Sequence, residues 1–474
     1  MHNWETVIGL EIHVALNTIT KLFSSAPNHF GDAPNTNITE VCTGQPGALP
    51  VLNKEAVRKA VQFGCAVNGH VAKFSTFDRK SYFYPDSPRN FQITQLDEPI
   101  IIGGTVIADI DGEAKTFLIT RAHLEDDAGM LKHFDTYAGI DFNRAGVPLL
   151  EIVSEPCIHT SKEAVAYASA IKAIMEYVNA SDCNMERGNL RIDANVSVRL
   201  HGETTLRTKT EIKNMNSFHN MEIAIEEEIR RQIREYSRNN TISQDTYRWD
   251  PDKKTNALMR RKENADDYRY FPDPDLLPII LTDEYIDAIR DSLPELPYEK
   301  KKRYIQDLGL SDYAAGVITT DKKLADYFEE GLKTTSNAKG LCNWITVEFA
   351  GRLKTTTLWD ISLSPHNVAT LVNLIDTGAI TGKMAKQIAN DMINDPTKDC
   401  ETIIKENANY QPIDDTATIG QFIDQVIAEN PQSVADYKAG KTKAFSFLIG
   451  QIMKLSQGKA PPPLVNDLLT KRLQ

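Results

Sequence analysis

The chain has 474 residues, 25% of them charged and 41% hydrophobic, with a formal net charge of −12. That composition excludes a disordered, collagenous or disulfide-framework protein, and the length suffices for about three domains with substantial cores. The acidic balance, taken alone, argues against a nucleic-acid binder. No apolar run approaches the roughly 18 residues that span a bilayer. The first residues have neither a signal-peptide nor a presequence pattern, so a cytoplasmic protein without membrane contact is expected. The six cysteines (42, 65, 157, 183, 342 and 400) are scattered and form no C-x-x-C, which fits a reducing compartment.

In chain order, Val7 to Val14 alternates as a half-buried strand should. Further strands are expected at 99–110, 115–125, 147–154, 190–200 and 207–213, punctuated by Gly103-Gly104, Asp111-Gly112 and His201-Gly202. A helix is expected from Ser161, as N-cap, to about Val178. A second amphipathic helix over 218–236 carries Ile225, Ile229 and Ile233 at every fourth position, with Glu226–Arg230 and Glu227–Arg231 pairs. Prolines 272, 274, 278, 294 and 297 mark a boundary near 295. Beyond it, 299–405 reads as short helices, for example after Ser311 and around Leu324, Tyr327 and Phe328. Residues 415–474 are helical again. The fold class is therefore α+β: a sheet-based body over 1–295, an all-α segment over 296–410 and a small helical tail over 411–474.

The polar faces of the strands carry the chemistry. In Val7-Ile-Gly-Leu-Glu-Ile-His-Val14 the apolar face is Ile8, Leu10, Ile12 and Val14, leaving Glu11 and His13 together on the other. A carboxylate beside an imidazole suits a divalent metal or acid/base work, and equally a structural pair on an exposed face. Arg121, His123 and Glu125 share a face, followed by Asp126 and Asp127. Glu151 and Glu155 align, as do Arg191, Asp193, Asn195, Ser197 and Arg199, and Lys209, Glu211 and Lys213. If these faces meet, they make a carboxylate-rich concavity able to hold Mg²⁺, with basic groups for phosphate. The run Asp78-Arg-Lys-Ser-Tyr-Phe-Tyr-Pro85 adds Arg79 or Lys80 as a phosphate contact and tyrosines that can stack on a base; an aromatic core strand is the alternative.

Familiar nucleotide motifs are missing. Gly440-Lys-Thr442 has Ala at 435 and so fails as a P-loop, and there is no G-x-G-x-x-G and no Gly-rich serine motif of an amidase. The charge is uneven: over 431–474, seven Lys and Arg face two Asp, a net +5 on an otherwise acidic chain. That basic helical end is a footprint for RNA phosphates or simply a lysine-rich end.

Seven runs together resemble the GatB family, the B subunits of the bacterial aspartyl/glutamyl-tRNA amidotransferase. They are Glu5-Thr-Val-Ile-Gly-Leu-Glu-Ile-His13, Phe77-Asp-Arg-Lys-Ser-Tyr-Phe-Tyr-Pro85, His123-Leu-Glu-Asp-Asp-Ala-Gly129, Leu150-Glu-Ile-Val-Ser-Glu-Pro156, Thr210-Glu-Ile-Lys-Asn-Met-Asn-Ser-Phe218, Asp267-Tyr-Arg-Tyr-Phe-Pro272 and Gly450-Gln-Ile-Met-Lys454. The resemblance implies an antiparallel-sheet cradle, a helical domain and a tail domain that binds tRNA. It implies a heterotrimer with two partner chains, an amidase and a small protein that holds the other two together. Within it, a chain of this kind uses ATP to phosphorylate the side-chain carboxylate of misacylated Glu-tRNA(Gln) or Asp-tRNA(Asn), and ammonia then displaces the phosphate. By resemblance, Glu11, His13, Glu125 and Glu151 form a Mg²⁺ site and Lys80 meets phosphate. Asp193 and Glu211 are added to the cofactor site from strand geometry. Some members bind zinc through Cys-x-Cys and Cys-x-x-Cys pairs. Here those regions read Phe23-Ser-Ser-Ala-Pro27 and Thr39-Glu-Val-Cys42, so no zinc is expected. The rival readings are a scaffold that only binds tRNA and a stand-alone metal-dependent kinase of a small carboxylate.

Overall fold

The first strand shows how the body is built. In the computed structural model, which describes residues 3–261, 265–410, 413, 415–456 and 458–473, it runs Trp4–Ala15. Ile8, Leu10, Ile12 and Val14 are completely buried on one face, and the intervening side chains stay half-buried on the other. Helices Lys54–Ala66, Ser161–Tyr177 and Phe218–Ser237 contribute Val61, Phe63, Tyr167, Ile171, Met221 and Ile225 to the same core. Burial of this apolar face is the main stabilising term, and it leaves the opposite face free for polar residues.

Ten strands form the main sheet. Its path runs Thr255–Arg261, Asp245–Asp250, Thr210–Lys213, Leu190–Leu200, Trp4–Ala15, Pro148–Ser154, Glu113–Asp126, Ile101–Ile102 and His70–Val71, with Thr105–Ile110 paired to Glu113–Asp126. Every pairing is antiparallel except that between Thr210–Lys213 and Asp245–Asp250. The strand expected over 99–110 is broken in two, because Gly103 and Gly104 both take positive φ (67° and 130°) and turn the chain. The strand expected over 207–213 begins only at Thr210.

Two helix expectations are corrected. The N-cap of Ser161–Tyr177 is Thr160, whose Oγ1 accepts from the Glu163 amide at 3.1 Å; Ser161 is already helical and donates to Glu226. In Phe218–Ser237 only Ile225 of the isoleucine stripe is fully buried. Glu228 and Gln232 are fully buried too, bonded to Thr210 Oγ1 at 2.6 and 2.8 Å, while Ile229 and Ile233 are half-buried. Arg231 pairs with Glu228 rather than Glu227, which keeps the buried carboxylate compensated.

The chain divides into two compact units, residues 1–300 and 301–474. The second is helical throughout, and Ser311 caps Asp312–Thr319 as expected from its position. Its last helices, Thr416–Glu429, Thr442–Leu455 and Pro462–Leu473, pack Ile419, Ile423, Leu448, Ile452, Val465 and Leu469 into a core of their own. The boundary expected at 410/411 adjoins residues 411, 412 and 414, which lie outside the described set. A buried bond from Thr381 to the Gly458 carbonyl (2.7 Å) runs between the two sides of that boundary. Among the described residues no helix is long and apolar enough to cross a membrane.

Candidate active site

Cross-strand register assembles the site. His13 stands opposite Glu151 on one neighbouring strand and Arg191 on the other, and Glu151 stands opposite His123. Directly opposed residues of antiparallel strands project on the same face, so these four form a row across the sheet. His13 Nε2 lies 3.4 Å from Glu151 and 3.6 Å from Glu125. His123 Nε2 lies 3.3 and 3.8 Å from the same two carboxylates. His123 and Glu125 are almost fully buried.

The electrostatics follow from this packing. Burial alone would lower the pKa of both imidazoles, but Glu151 and Glu125 outweigh it. His13 is raised, and His123 is pushed up to about 9. Burial would conversely raise the Glu151 carboxyl, yet His123 and His13 hold it well below the usual carboxylate range. The cluster is thus a carboxylate-rich pocket that attracts positive charge.

The expected residues fall into two groups. Ligand atoms of His13, Glu125 and Glu151 lie within 4.8 Å of one another, as do those of Glu11, Asp193 and Glu211. Glu11, expected beside His13 in one set, therefore belongs with Asp193 and Glu211. Glu11 accepts from Asn195 at 2.8 Å, and Glu211 accepts from Thr246 at 2.7 Å. Lys213 reaches both Asp193 and Glu211. Burial works against the lysine's charge, but those two carboxylates keep its pKa raised. The second group already contains a cation, so a metal there would compete with Lys213. The first group offers one imidazole nitrogen and two carboxylates with no lysine among them, a donor set that fits a divalent ion.

A cavity of about 600 Å³ opens beside both groups, lined by His13, Glu125 and Asp193. Lys80, Arg144, Arg187 and Arg191 also line it. Asp127 orients two of these, accepting from Arg191 at 2.9 Å and lying 3.6 Å from Arg144. Asp126 is instead structural: it takes the Ile93 amide at 2.9 Å and pairs with Arg89.

Of the two basic candidates in the 77–85 run, only Lys80 remains available. Arg79 is bonded to Asp273 (2.8 Å) and Asp275 (2.7 Å), with its guanidinium 4.3 Å from the Phe91 ring centre and 5.8 Å from that of Phe271. Among the described residues the Lys80 ammonium makes no hydrogen bond and no ion pair; it lies 4.9 Å from the Tyr268 ring centre. The strand there is only Asp78–Ser81, and Phe83 and Tyr84 are 71% and 55% exposed, so the run is not an aromatic core strand. Glu155, expected in line with Glu151, is displaced by a register irregularity at Val153/Ser154 and accepts from Thr120.

His123 and Arg191 stand in this row of polar residues but are not among the candidate site residues read from the sequence. Their strand parity was visible, but the register that selects them from other polar residues was not. Around Cys42 the polar neighbours are Ser24 Oγ (3.2 Å), Thr39 Oγ1 (3.5 Å) and the buried Lys21 Nζ (3.6 Å), with no second thiol or imidazole among them.

Comparison with known proteins bears on the family of the chain. Residues 6–287 match the model of the GatB/GatE catalytic domain, and residues 326–473 match that of the GatB domain. The chain is 64% identical to the B subunit of the aspartyl/glutamyl-tRNA(Asn/Gln) amidotransferase of Protochlamydia amoebophila, over 99% of this chain and 97% of that protein. It is 55% identical to the protein so named in Chlamydia pneumoniae and 56% identical to that in Chlamydia abortus, over 99% of this chain and 98% of each relative. Similarity at this level across both units leaves one conclusion: the chain belongs to the GatB family, the B subunits of aspartyl/glutamyl-tRNA(Asn/Gln) amidotransferases.

Proposed function

We propose that this chain is the ATP-dependent member of a heterotrimeric, cytoplasmic ligase whose other members are an amidase and a small third protein. Its substrate is Glu-tRNA(Gln), Asp-tRNA(Asn) or both. A side-chain carboxylate is a poor acyl donor because its oxygen leaves badly. In the proposed reaction a carboxylate oxygen attacks the γ-phosphorus of ATP and the bond to ADP breaks. Ammonia then attacks the acyl phosphate, phosphate departs, and the amide of Gln-tRNA(Gln) or Asn-tRNA(Asn) results.

The observation that carries this reading is that the unpaired Lys80 ammonium lines one cavity with His13 and Glu125, two members of the His13–Glu125–Glu151 trio. Phosphoryl transfer needs positioning and charge neutralisation more than a protein nucleophile. Lys80, Arg191 and Arg144 supply positive charge for phosphate oxygens, and Asp127 keeps the two arginines oriented. His13, Glu125 and Glu151 would hold Mg²⁺, which when bound supplies Lewis-acid stabilisation of the transferring phosphoryl group. His123 braces Glu151 and Glu125 from the buried side. The amidase serine motif absent from the sequence fits an ammonia source on another chain.

The test is ATP cleavage by the reconstituted trimer. It should require charged tRNA, and Lys80→Ala should raise the ATP requirement roughly tenfold or more. Cleavage with a free small carboxylate and no tRNA would favour the stand-alone kinase. No cleavage under any condition, with tRNA still bound, would favour a pure tRNA scaffold.

A further inference from the structure

An ammonium on a flexible chain within electrostatic reach of two carboxylates has an obvious alternative to meeting phosphate: it can collapse onto them. In Lys80 it has not. Burial opposes its charge, but Tyr270, Glu125, Glu151 and Tyr268, in that order, together outweigh it. Yet no ion pair forms among the described residues. The Tyr268 ring instead takes the cation on its face at 4.9 Å.

The segment carrying that ring is firmly attached to the strand of Lys80. Phe271 and Pro272 pair antiparallel with Arg79 and Asp78. The Asp273 amide donates to the Phe77 carbonyl at 2.8 Å. The Asp273 carboxylate, nearly inaccessible, accepts from Arg79. Arg269 sits between the two tyrosines at φ 47°, a left-handed conformation that costs a non-glycine residue energy. Tyr268 and Tyr270 flank that turn with ring centres 6.2 Å apart.

We infer that Tyr268 is a positioning residue for phosphoryl transfer, holding the Lys80 ammonium by its ring face so that the cation stays unpaired for phosphate and Glu125 and Glu151 stay free for metal. This role deepens the phosphoryl-transfer reading of the site and rests on it. A ring face attracts a cation without being an anion, so it fixes the lysine without neutralising it. The tyrosine hydroxyl has no part in that, which makes the expectation specific: an aromatic ring is required and the phenol is not.

The experiment measures the KM for ATP and kcat of charged-tRNA-dependent ATP cleavage in the reconstituted trimer. Tyr268→Phe and Tyr268→Trp should behave like the unmodified protein. Tyr268→Leu should raise the KM for ATP about three- to tenfold, the range expected for one cation–π contact, and should weaken metal activation in the same direction. In a Lys80→Ala background, Tyr268→Leu should have no further effect, because its action runs through the lysine. If Tyr268→Leu leaves KM unchanged, or if its effect persists undiminished without Lys80, the inference is overturned. Should Tyr268→Leu not assemble, the Phe variant decides alone: a loss as large as that of Lys80→Ala overturns the role of the ring face. Absence of tRNA-dependent cleavage in the unmodified trimer would instead overturn the underlying reading, so the two failures are distinct.

Discussion

Replacing Glu151 with alanine should lower transamidation by the reconstituted trimer by a factor on the order of 10²–10³ while leaving the fold and tRNA binding intact. Of the two carboxylates between His13 and His123, Glu151 is the one both approach more closely, at 3.4 and 3.3 Å against 3.6 and 3.8 Å for Glu125. Its removal takes a ligand from the proposed metal group and releases both imidazoles. The fold should survive because neither histidine is left as a trapped charge: without Glu151 the main cause of their raised pKa disappears, and each can lose its proton. Glu125→Ala should act in the same direction. Its carboxylate is nearly buried and also meets Thr94 Oγ1 at 3.4 Å, so a larger stability loss is expected beside the rate loss. Rates are compared at saturating charged tRNA, with binding measured separately by filter retention. A normal rate in Glu151→Ala with normal binding would mean the row of polar residues is only a solvated face.

The second large effect concerns the basic tail. Truncating the chain at 430 is the wrong test, since Thr416–Glu429 would lose the partners of Ile419, Ile423 and Val426. The charges themselves can be removed instead. Lys441, Lys471 and Arg472 are already engaged with Asp436, Asp467 and Asp424. Lys438, Lys443 and Lys454 are exposed and make no ion pair among the described residues. The triple variant Lys438→Ala, Lys443→Ala, Lys454→Ala should bind tRNA more weakly. It should also flatten the dependence of log affinity on log salt by about 0.7–0.9 for each phosphate no longer neutralised. Equal slopes for the two proteins would place the RNA-binding surface elsewhere. Thermal unfolding should hardly change, because exposed lysines contribute little to stability.

How much of this was legible in the sequence depends on which interactions are local. Alternation over Val7 to Val14 is a property of one strand, and it separated Ile8, Leu10, Ile12 and Val14 from Glu11 and His13 without error. The α+β class and the all-helical second unit followed from the same kind of local pattern. Register is not local. Nothing within residues 7–14 says that His13 will face Glu151 while Glu11 faces Asp193, and that pairing is what splits the acidic residues into two groups. The burial of Glu228 and Gln232 was invisible in the isoleucine pattern of their helix for a related reason: Thr210, on a strand of the sheet, hydrogen-bonds both and makes burial tolerable. Likewise the sequence offered Arg79 and Lys80 as equals. Asp273 and Asp275, nearly two hundred positions away, remove Arg79 from contention and leave Lys80 to face the cavity.

The most direct test of the central claim is to supply the purified trimer with Mg²⁺, ATP and Glu-tRNA(Gln) but no glutamine or ammonia, and to trap the product with hydroxylamine. An activated side-chain carboxylate would be captured as a hydroxamate on the tRNA-bound glutamate, together with a matching amount of ADP. The account predicts that hydroxamate with the unmodified protein and its loss with Glu151→Ala and Lys80→Ala. Transamidation that proceeds on adding glutamine, with no trappable acyl species and no ADP formed beforehand, would contradict it.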